Sequence, residues 1–203
     1  WYQKQAITKI CESFEKKYRK TLLSMATGTG KTRTAAALID VLTRCNWAKR
    51  ILFLADRTAL VKQAINAFKA HIPDTSPVNL IKEKDGQGRL YASTYGTMLN
   101  LIQEVDGGTR KFGVGHFDLI IIDEAHRSVY KKYGAIFSYF DALLVGLTAT
   151  PRDEVHHDTY HVFDLESGVP TDSYSLEQAV AEGFLVPPKA VSHTLRLPSE
   201  GIF

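Results

Sequence analysis

Five short apolar runs, at about residues 21–25, 50–55, 89–94, 118–122 and 143–148, alternate along the chain with helical segments at 31–44, 58–70, 96–104 and 129–140. Runs this short and aliphatic, Asp118-Leu119-Ile120-Ile121-Ile122 above all, suit strands that are buried on both faces. Strands separated by helices form a parallel sheet, because each parallel pairing needs a crossover long enough to hold a helix. The expected fold is therefore α/β, a mainly parallel doubly wound sheet flanked by helices. Ahead of the first strand, Ile7, Ile10, Phe14 and Tyr18 mark the core-facing stripe of an amphipathic helix. Pro73 to Gly88 carries proline, glycine and charge, and reads as a surface loop with at most one short strand at 78–81. A similar glycine-bearing loop spans 106–115, either an ordinary connection or a mobile element. After Pro151 the pattern breaks. Residues 175–182 read as a helix ending at Gly183, and 189–197 as an extra strand or an exit toward a further domain.

Open sheets of this kind bind ligands outside the carboxyl ends of their strands, and two of those ends carry distinctive chemistry. Met25-Ala26-Thr27-Gly28-Thr29-Gly30-Lys31-Thr32 joins the first strand to the first crossover helix. The glycines let backbone N–H groups close around phosphate oxygens at a helix N-terminus, Lys31 reaches the outer phosphates, and the Thr32 hydroxyl can ligate Mg²⁺. The strict G-x-x-x-x-G-K-[ST] pattern has Met25 at its first glycine, so the match rests on Gly28, Gly30, Lys31 and Thr32. A glycine-rich turn that only caps a helix is the bland alternative. The second end is Asp123-Glu124-Ala125-His126. There Asp123 would hold Mg²⁺ and Glu124 would orient and deprotonate an attacking water, with His126 beside them as a relay; a pair of acids capping the next helix is the other reading. A third strand ends in Thr148-Ala149-Thr150-Pro151, whose hydroxyls can hydrogen-bond the acidic motif and report the nucleotide state.

In this order the motifs resemble those of the superfamily 2 helicases and translocases, over the length of the chain. The resemblance equates Ala26 to Thr32, Phe53-Leu54-Ala55-Asp56-Arg57, Asp123 to His126, and Thr148-Ala149-Thr150 with motifs I, Ia, II and III of a RecA-like P-loop NTPase domain. Tyr2-Gln3-Lys4-Gln5-Ala6-Ile7 is similar to the segment that reads adenine, with Gln3 as its amide; a surface glutamine on an amphipathic helix remains the alternative. Trp47 to Arg57, Ser93-Thr94-Tyr95 and Asp123 to Ser128 resemble more closely the motor (R) subunit of type I restriction enzymes, and the related type III motors. The chain departs from that pattern at Gly96, where many relatives carry glutamine.

The resemblance implies a first RecA-like ATP-binding domain over 1–155 and a C-terminal extension or linker over 156–203 toward a second RecA-like domain. It implies an ATP-driven translocase on duplex DNA that works with modification and specificity subunits. Thr27, Gly28, Thr29, Gly30, Lys31 and Thr32 with Gln3 would bind ATP, while Lys31, Asp123 and Glu124 would be catalytic. Thr32 and Asp123 would hold Mg²⁺, and His126, Thr148 and Thr150 would couple nucleotide state to DNA. Arg57, Thr94 and Tyr95 follow two buried strands at the ligand edge and would line a groove contacting phosphates; for Arg57 a solvated charge at a helix start is the alternative. The arginine finger would come from the second domain, so residues 1–203 alone should turn ATP over weakly or not at all. Nothing in the sequence supplies a carboxylate-rich nuclease site. The rival outcomes are an RNA or single-stranded-DNA helicase of the same superfamily, and a non-hydrolysing nucleotide-dependent switch.

The remaining composition is undemanding. A net charge of +3 is compatible with nucleic acid without arguing for it. Lys16-Lys17, Arg19-Lys20 and Lys131-Lys132 read as solvated helix faces or ends, or as further phosphate contacts. Cys11 and Cys45 belong to no C-x-x-C pair and are expected as buried thiols in a reducing compartment. His156, His157 and His161 lack an H-E-x-x-H arrangement, so a solvated helix face or a contact surface for another domain is preferred to zinc. No run approaches the roughly 20 apolar residues of a membrane span, and no signal peptide is visible at Trp1, so the chain reads as cytoplasmic. The start at Trp1 and the end at Gly201-Ile202-Phe203 lead to the expectation of a piece of a longer polypeptide.

Overall fold

The aliphatic runs pair in register as a seven-stranded parallel sheet in the computed structural model, which describes residues 1–106, 108–125, 127–149 and 157–187. The strands are β1 (Lys20–Met25), β2 (Ile51–Ala55), β3 (Pro77–Asn79), β4 (Leu90–Thr94), β7 (Leu119–Asp123), β8 (Leu143–Thr148) and β9 (Asp172–Tyr174), in the order β3-β4-β2-β7-β8-β1-β9. All six pairings are parallel, with Ile51 opposite Leu119 and Leu22 opposite Gly146. Helices α1 (Tyr2–Glu15), α2 (Lys31–Arg44), α3 (Thr58–His71), α4 (Tyr95–Gln103) and α5 (Arg127–Tyr139) cover the sheet.

Because neighbouring side chains on a strand point to opposite faces, each strand feeds two cores. Leu23, Met25, Ile51, Phe53, Ile121 and Val145 pack with α1, α2 and α3. Leu22, Leu52, Leu54, Ile120, Ile122 and Leu144 pack with α4 and α5 on the other face. That partition explains why the runs are continuously apolar rather than alternating. The expected doubly wound α/β fold is the one observed.

Several details depart from the sequence reading. In α1 the buried residues are Ala6, Ile10 and Phe14; the helix ends at Glu15, and Tyr18 lies beyond it, 63% exposed. The 106–115 loop begins with a small antiparallel hairpin, β5 (Val105–Asp106) with β6 (Thr109–Arg110). Cys45 is exposed and Cys11 half-buried, so the pair of buried thiols was a misreading; both thiols are free and line one small cavity with Val41, Leu42 and Trp47. Arg19 and Lys20 are ion-paired to Asp141 and Asp164 at the amino edge of the sheet, away from the ligand edge.

The segment expected as a C-terminal extension or linker packs on the sheet over its described residues. Helix α6 (His157–Val162) and the residues after it bury Tyr160 and Phe163, and the Phe163 ring lies so close over Gly146 that a Cβ there would collide with it. Strand β9 extends the same sheet beside β1, and Ala26 donates its N–H to the Tyr174 carbonyl (3.0 Å). Asp172, 8% exposed, is held by Lys9 of α1 (2.8 Å). Helix α7 (Leu176–Ala181) starts with a capping box of Ser175 and Gln178, close to the expected 175–182. Residues 157–187 are thus built into the domain. The expected strand at 189–197 lies outside the described residues, and no described helix is long and apolar enough to cross a membrane.

Candidate active site

The strand order puts β8 between β1 and β7, so the loop after β1, the acids after β7 and the hydroxyl at the end of β8 meet at one carboxyl edge. The β1–α2 loop is shaped by two left-handed glycines, Gly28 and Gly30, both at φ 88°. Residues with a Cβ adopt that conformation only under strain. The Thr29 side chain is buried and donates to the Ala26 carbonyl at 2.6 Å. Met25, where the strict motif has glycine, is the last residue of β1 and is 2% exposed in the core. The missing glycine has become a core residue without disturbing the turn that follows.

Two side chains from α1 clasp this loop. The Tyr2 hydroxyl and the Gln3 amide both donate to the Thr29 carbonyl, at 2.9 and 3.1 Å. A Cβ on Gly30 would lie 2.6 Å from Gln3 Nε2, so a side chain there would push the amide aside, and the left-handed turn itself calls for glycine. Tyr2 stacks on Tyr174 of β9 with centroids 3.9 Å apart, and Leu185 comes within 3.1 Å of where a Gly28 Cβ would sit. Sequence reasoning singled out Gln3 but missed Tyr2, Tyr174 and Leu185. Their only signal was the aromatic next to Gln3 and an apolar stretch read as linker.

Helix α2 starts at Lys31 with neither a side-chain cap nor an acidic residue in its first turn. The first N–H groups of a helix have no intrahelical acceptor and carry the positive end of the dipole, an arrangement suited to an anion. The Lys31 side chain is 12% exposed, and its ammonium donates to the Met25 carbonyl at 3.4 Å and lies 4.0 Å from Glu124 Oε1. Thr32 is half-buried on the same turn.

At the end of β7, Asp123 is followed by Glu124 in the left-handed region, φ 55°. The backbone on either side is pinned: the Tyr95 hydroxyl donates to the Asp123 carbonyl at 2.6 Å, and Ala125 N–H donates to the Leu147 carbonyl at 2.8 Å. Burial pushes the Asp123 carboxyl up, and the Glu124 charge adds to this, while Lys31 and a backbone hydrogen bond work against it. Thr148 is fully buried at the end of β8. His126 and Thr150 lie outside the described residues.

On the far side of β7 the same edge carries Arg57, the N-cap of α3 just after β2, and Thr94, the last residue of β4, whose partner across the pairing is Ala55. The Arg57 side chain is 81% exposed, with Asp56 at 3.8 Å. Thr94 is half-buried and is the N-cap of α4, accepting from Thr97 N–H at 3.2 Å. Tyr95 must be removed from the expected groove residues. It is 1% exposed, and its hydroxyl is committed to Asp123. Its ring turns inward onto Tyr133, a direction that spacing alone did not reveal. Among the described residues no cluster of His, Cys, Asp or Glu has a metal-holding arrangement of three or more.

The family model described as type III restriction enzyme, res subunit, matches residues 1–153. The chain belongs to this family. Within the wider set of restriction subunits it is 36% identical to the endonuclease subunit of the type I restriction enzyme EcoAI from Escherichia coli, over 99% of this chain and 25% of that protein. A fragment assigned as an HsdR subunit of a type I restriction enzyme from Vibrio vulnificus superposes with a TM-score of 0.66 at 30% identity, covering 90% of this chain and 31% of that one. The UvsW helicase of bacteriophage T4 shares the fold, with a TM-score of 0.59 at 20% identity over 86% of this chain and 59% of that one. The fold is that of RecA-like helicase domains, and the chain spans about a quarter of its curated type I relative.

Proposed function

We propose that this res-family chain is the ATP-binding motor domain of a duplex-DNA translocase working in a restriction-modification system. The observation that carries the reading is the approach of Lys31 Nζ to Glu124 Oε1, 4.0 Å, from loops two strands apart at one edge of the sheet. Few structural roles bring a glycine-loop lysine and a strand-end acid together over an uncapped helix. The 36% identity to a type I endonuclease subunit supports the restriction assignment, and with it duplex DNA, modification and specificity subunits and a second RecA-like domain as partners.

In this mechanism the N–H groups of residues 28–32 cradle the phosphates of ATP, and Lys31 neutralises charge developing on the transferred phosphoryl oxygens. Glu124 orients and deprotonates the attacking water. Thr32 and Asp123 offer the hard oxygen donors that suit Mg²⁺, and the crowding of Asp123 by Glu124 is a charge excess that a divalent cation relieves. Held there by Thr32 and Asp123, Mg²⁺ would supply the positive charge that offsets the phosphate oxygens. Gln3 places its amide at the loop's edge for the base, Thr148 with His126 and Thr150 passes the nucleotide state on, and Arg57 and Thr94 meet DNA phosphates.

The test is steady-state ATP hydrolysis by the intact parent protein with its partner subunits, against duplex DNA of increasing length, single-stranded DNA and RNA. Turnover that rises with duplex length and disappears in Lys31→Ala is expected. Stimulation by RNA or single strands alone would make the protein a helicase of the same superfamily, and no turnover with any polymer would make it a switch.

A further inference from the structure

We infer that Tyr95 is a positioning residue that ties the loop after β4, proposed above to meet DNA, to the acid-bearing end of β7. The inference rests on the reading of the site as a DNA-stimulated ATPase. In the sheet β4 and β7 are not neighbours, because β2 lies between them. The backbone ladder therefore gives their carboxyl ends no direct link. The Tyr95 hydroxyl makes one by donating across β2 to the Asp123 carbonyl at 2.6 Å.

The rest of the environment fixes that bond. Tyr95 is the first residue of α4, and Thr94 caps the helix, so the position of the ring follows the position of the candidate DNA loop. The ring is 1% exposed, stacked on Tyr133 of α5 at 5.2 Å with planes 17° apart, and edge-on to Phe137. Burial holds the phenol far above its ordinary range, so the hydroxyl stays a donor. On the receiving side, Glu124 sits at φ 55° between the Asp123 carbonyl held by Tyr95 and the Ala125 N–H held by Leu147. A non-glycine residue in that conformation persists only where its surroundings dictate it. A shift of the α4 N-terminus on phosphate contact at Thr94 is thereby carried by one short hydrogen bond to the peptide that orients both acids.

The experiment compares the intact parent protein with its Tyr95→Phe and Tyr133→Leu variants. Phenylalanine keeps the ring and its stack and deletes only the hydroxyl; leucine at 133 deletes the stack and leaves the bond. For Tyr95→Phe the ratio of duplex-stimulated to basal ATP turnover should fall about tenfold, the scale of leaving one buried acceptor unpaired. KM for ATP and duplex affinity should stay within about twofold, as neither ligand is touched. Tyr133→Leu should lower Tm and leave the ratio unchanged. An unchanged ratio in Tyr95→Phe, or basal and stimulated rates that fall in proportion, would overturn the inference and leave the tyrosine a core residue. Wild-type protein that no DNA stimulates would overturn the motor reading itself, a failure visible before any variant is made.

Discussion

The two halves of the ligand edge are built differently. Around the β1–α2 loop, side chains from the first two residues of α1 and from the later part of the chain converge: Tyr2 and Gln3 on the Thr29 carbonyl, Tyr174 on Tyr2, Leu185 on Gly28. Around the ends of β2 and β4, by contrast, Arg57 stands 81% exposed beside a single acid, and Thr94 spends its hydroxyl on its own helix. One half is preorganised for a ligand of fixed shape. The other offers charge with little fixed geometry, which suits a polymer met through its phosphates at any register. Substitutions should therefore act steeply on the first half and shallowly on the second.

The steepest expected effect is Lys31→Ala in the parent protein. It removes the charge aimed at the phosphates and should lower kcat for ATP hydrolysis by about 10³-fold, with a smaller change in duplex binding. A variant that kept even a tenth of wild-type turnover would break the contrast at its strong end. Next comes Gln3→Ala. The amide is engaged with Thr29 in this structure, so its loss should weaken nucleotide binding about tenfold. Whether ATP and GTP suffer alike decides its role: an equal loss makes Gln3 a clasp on the loop, and a loss confined to ATP makes it a reader of the base. Equilibrium titration with both nucleotides separates the two.

The groove half should respond more gently. Arg57→Ala is expected to weaken duplex binding about threefold to fivefold, equally on unrelated sequences, and to reduce the slope of log affinity against log salt by about one. Basal ATP turnover should hold. Thr94→Ala is a poorer probe, since losing the helix cap itself costs about 1 kcal/mol of stability and would mimic a binding defect. If Arg57→Ala left the salt slope alone, Arg57 would be a solvated charge and the groove would have to be sought elsewhere on the edge.

The legible part of this molecule was whatever obeys local periodicity. The five aliphatic runs became β1, β2, β4, β7 and β8 within a residue or two, and the glycine loop and acid pair landed at the same sheet edge on strands separated only by β8. What escaped depends on contacts between distant segments. Strand β9 has three residues, too few to show a period, and is fixed by pairing with β1 and by the Lys9–Asp172 ion pair. The inward turn of Tyr95 is set by packing on Tyr133, and the role of Leu185 by its approach to Gly28. No window of neighbouring residues contains that information. Tyr95, expected in the groove, is buried, and the expected extension places Tyr174 on Tyr2 and Leu185 on the glycine loop, contacts that no local pattern carries.

The smallest predicted effect is on stability, and it falls on the acid-bearing end of β7. The Asp123 carboxyl is raised from its ordinary value first by burial and then by Glu124, so folding favours its protonated form. A group of this kind adds stability below its unfolded pKa and loses that contribution as pH rises through its folded one. At neutral pH in the absence of nucleotide the ionised Asp123 is therefore a burden, and Asp123→Asn should raise Tm while it abolishes turnover. As pH falls through the raised carboxyl range, wild-type Asp123 takes up its proton and the gap between variant and wild type should close. A Tm difference for Asp123→Asn that is absent, or that widens toward acid, would mean that the acid pair is held in place by compensating charge, and that the strain assigned to the catalytic half is not there.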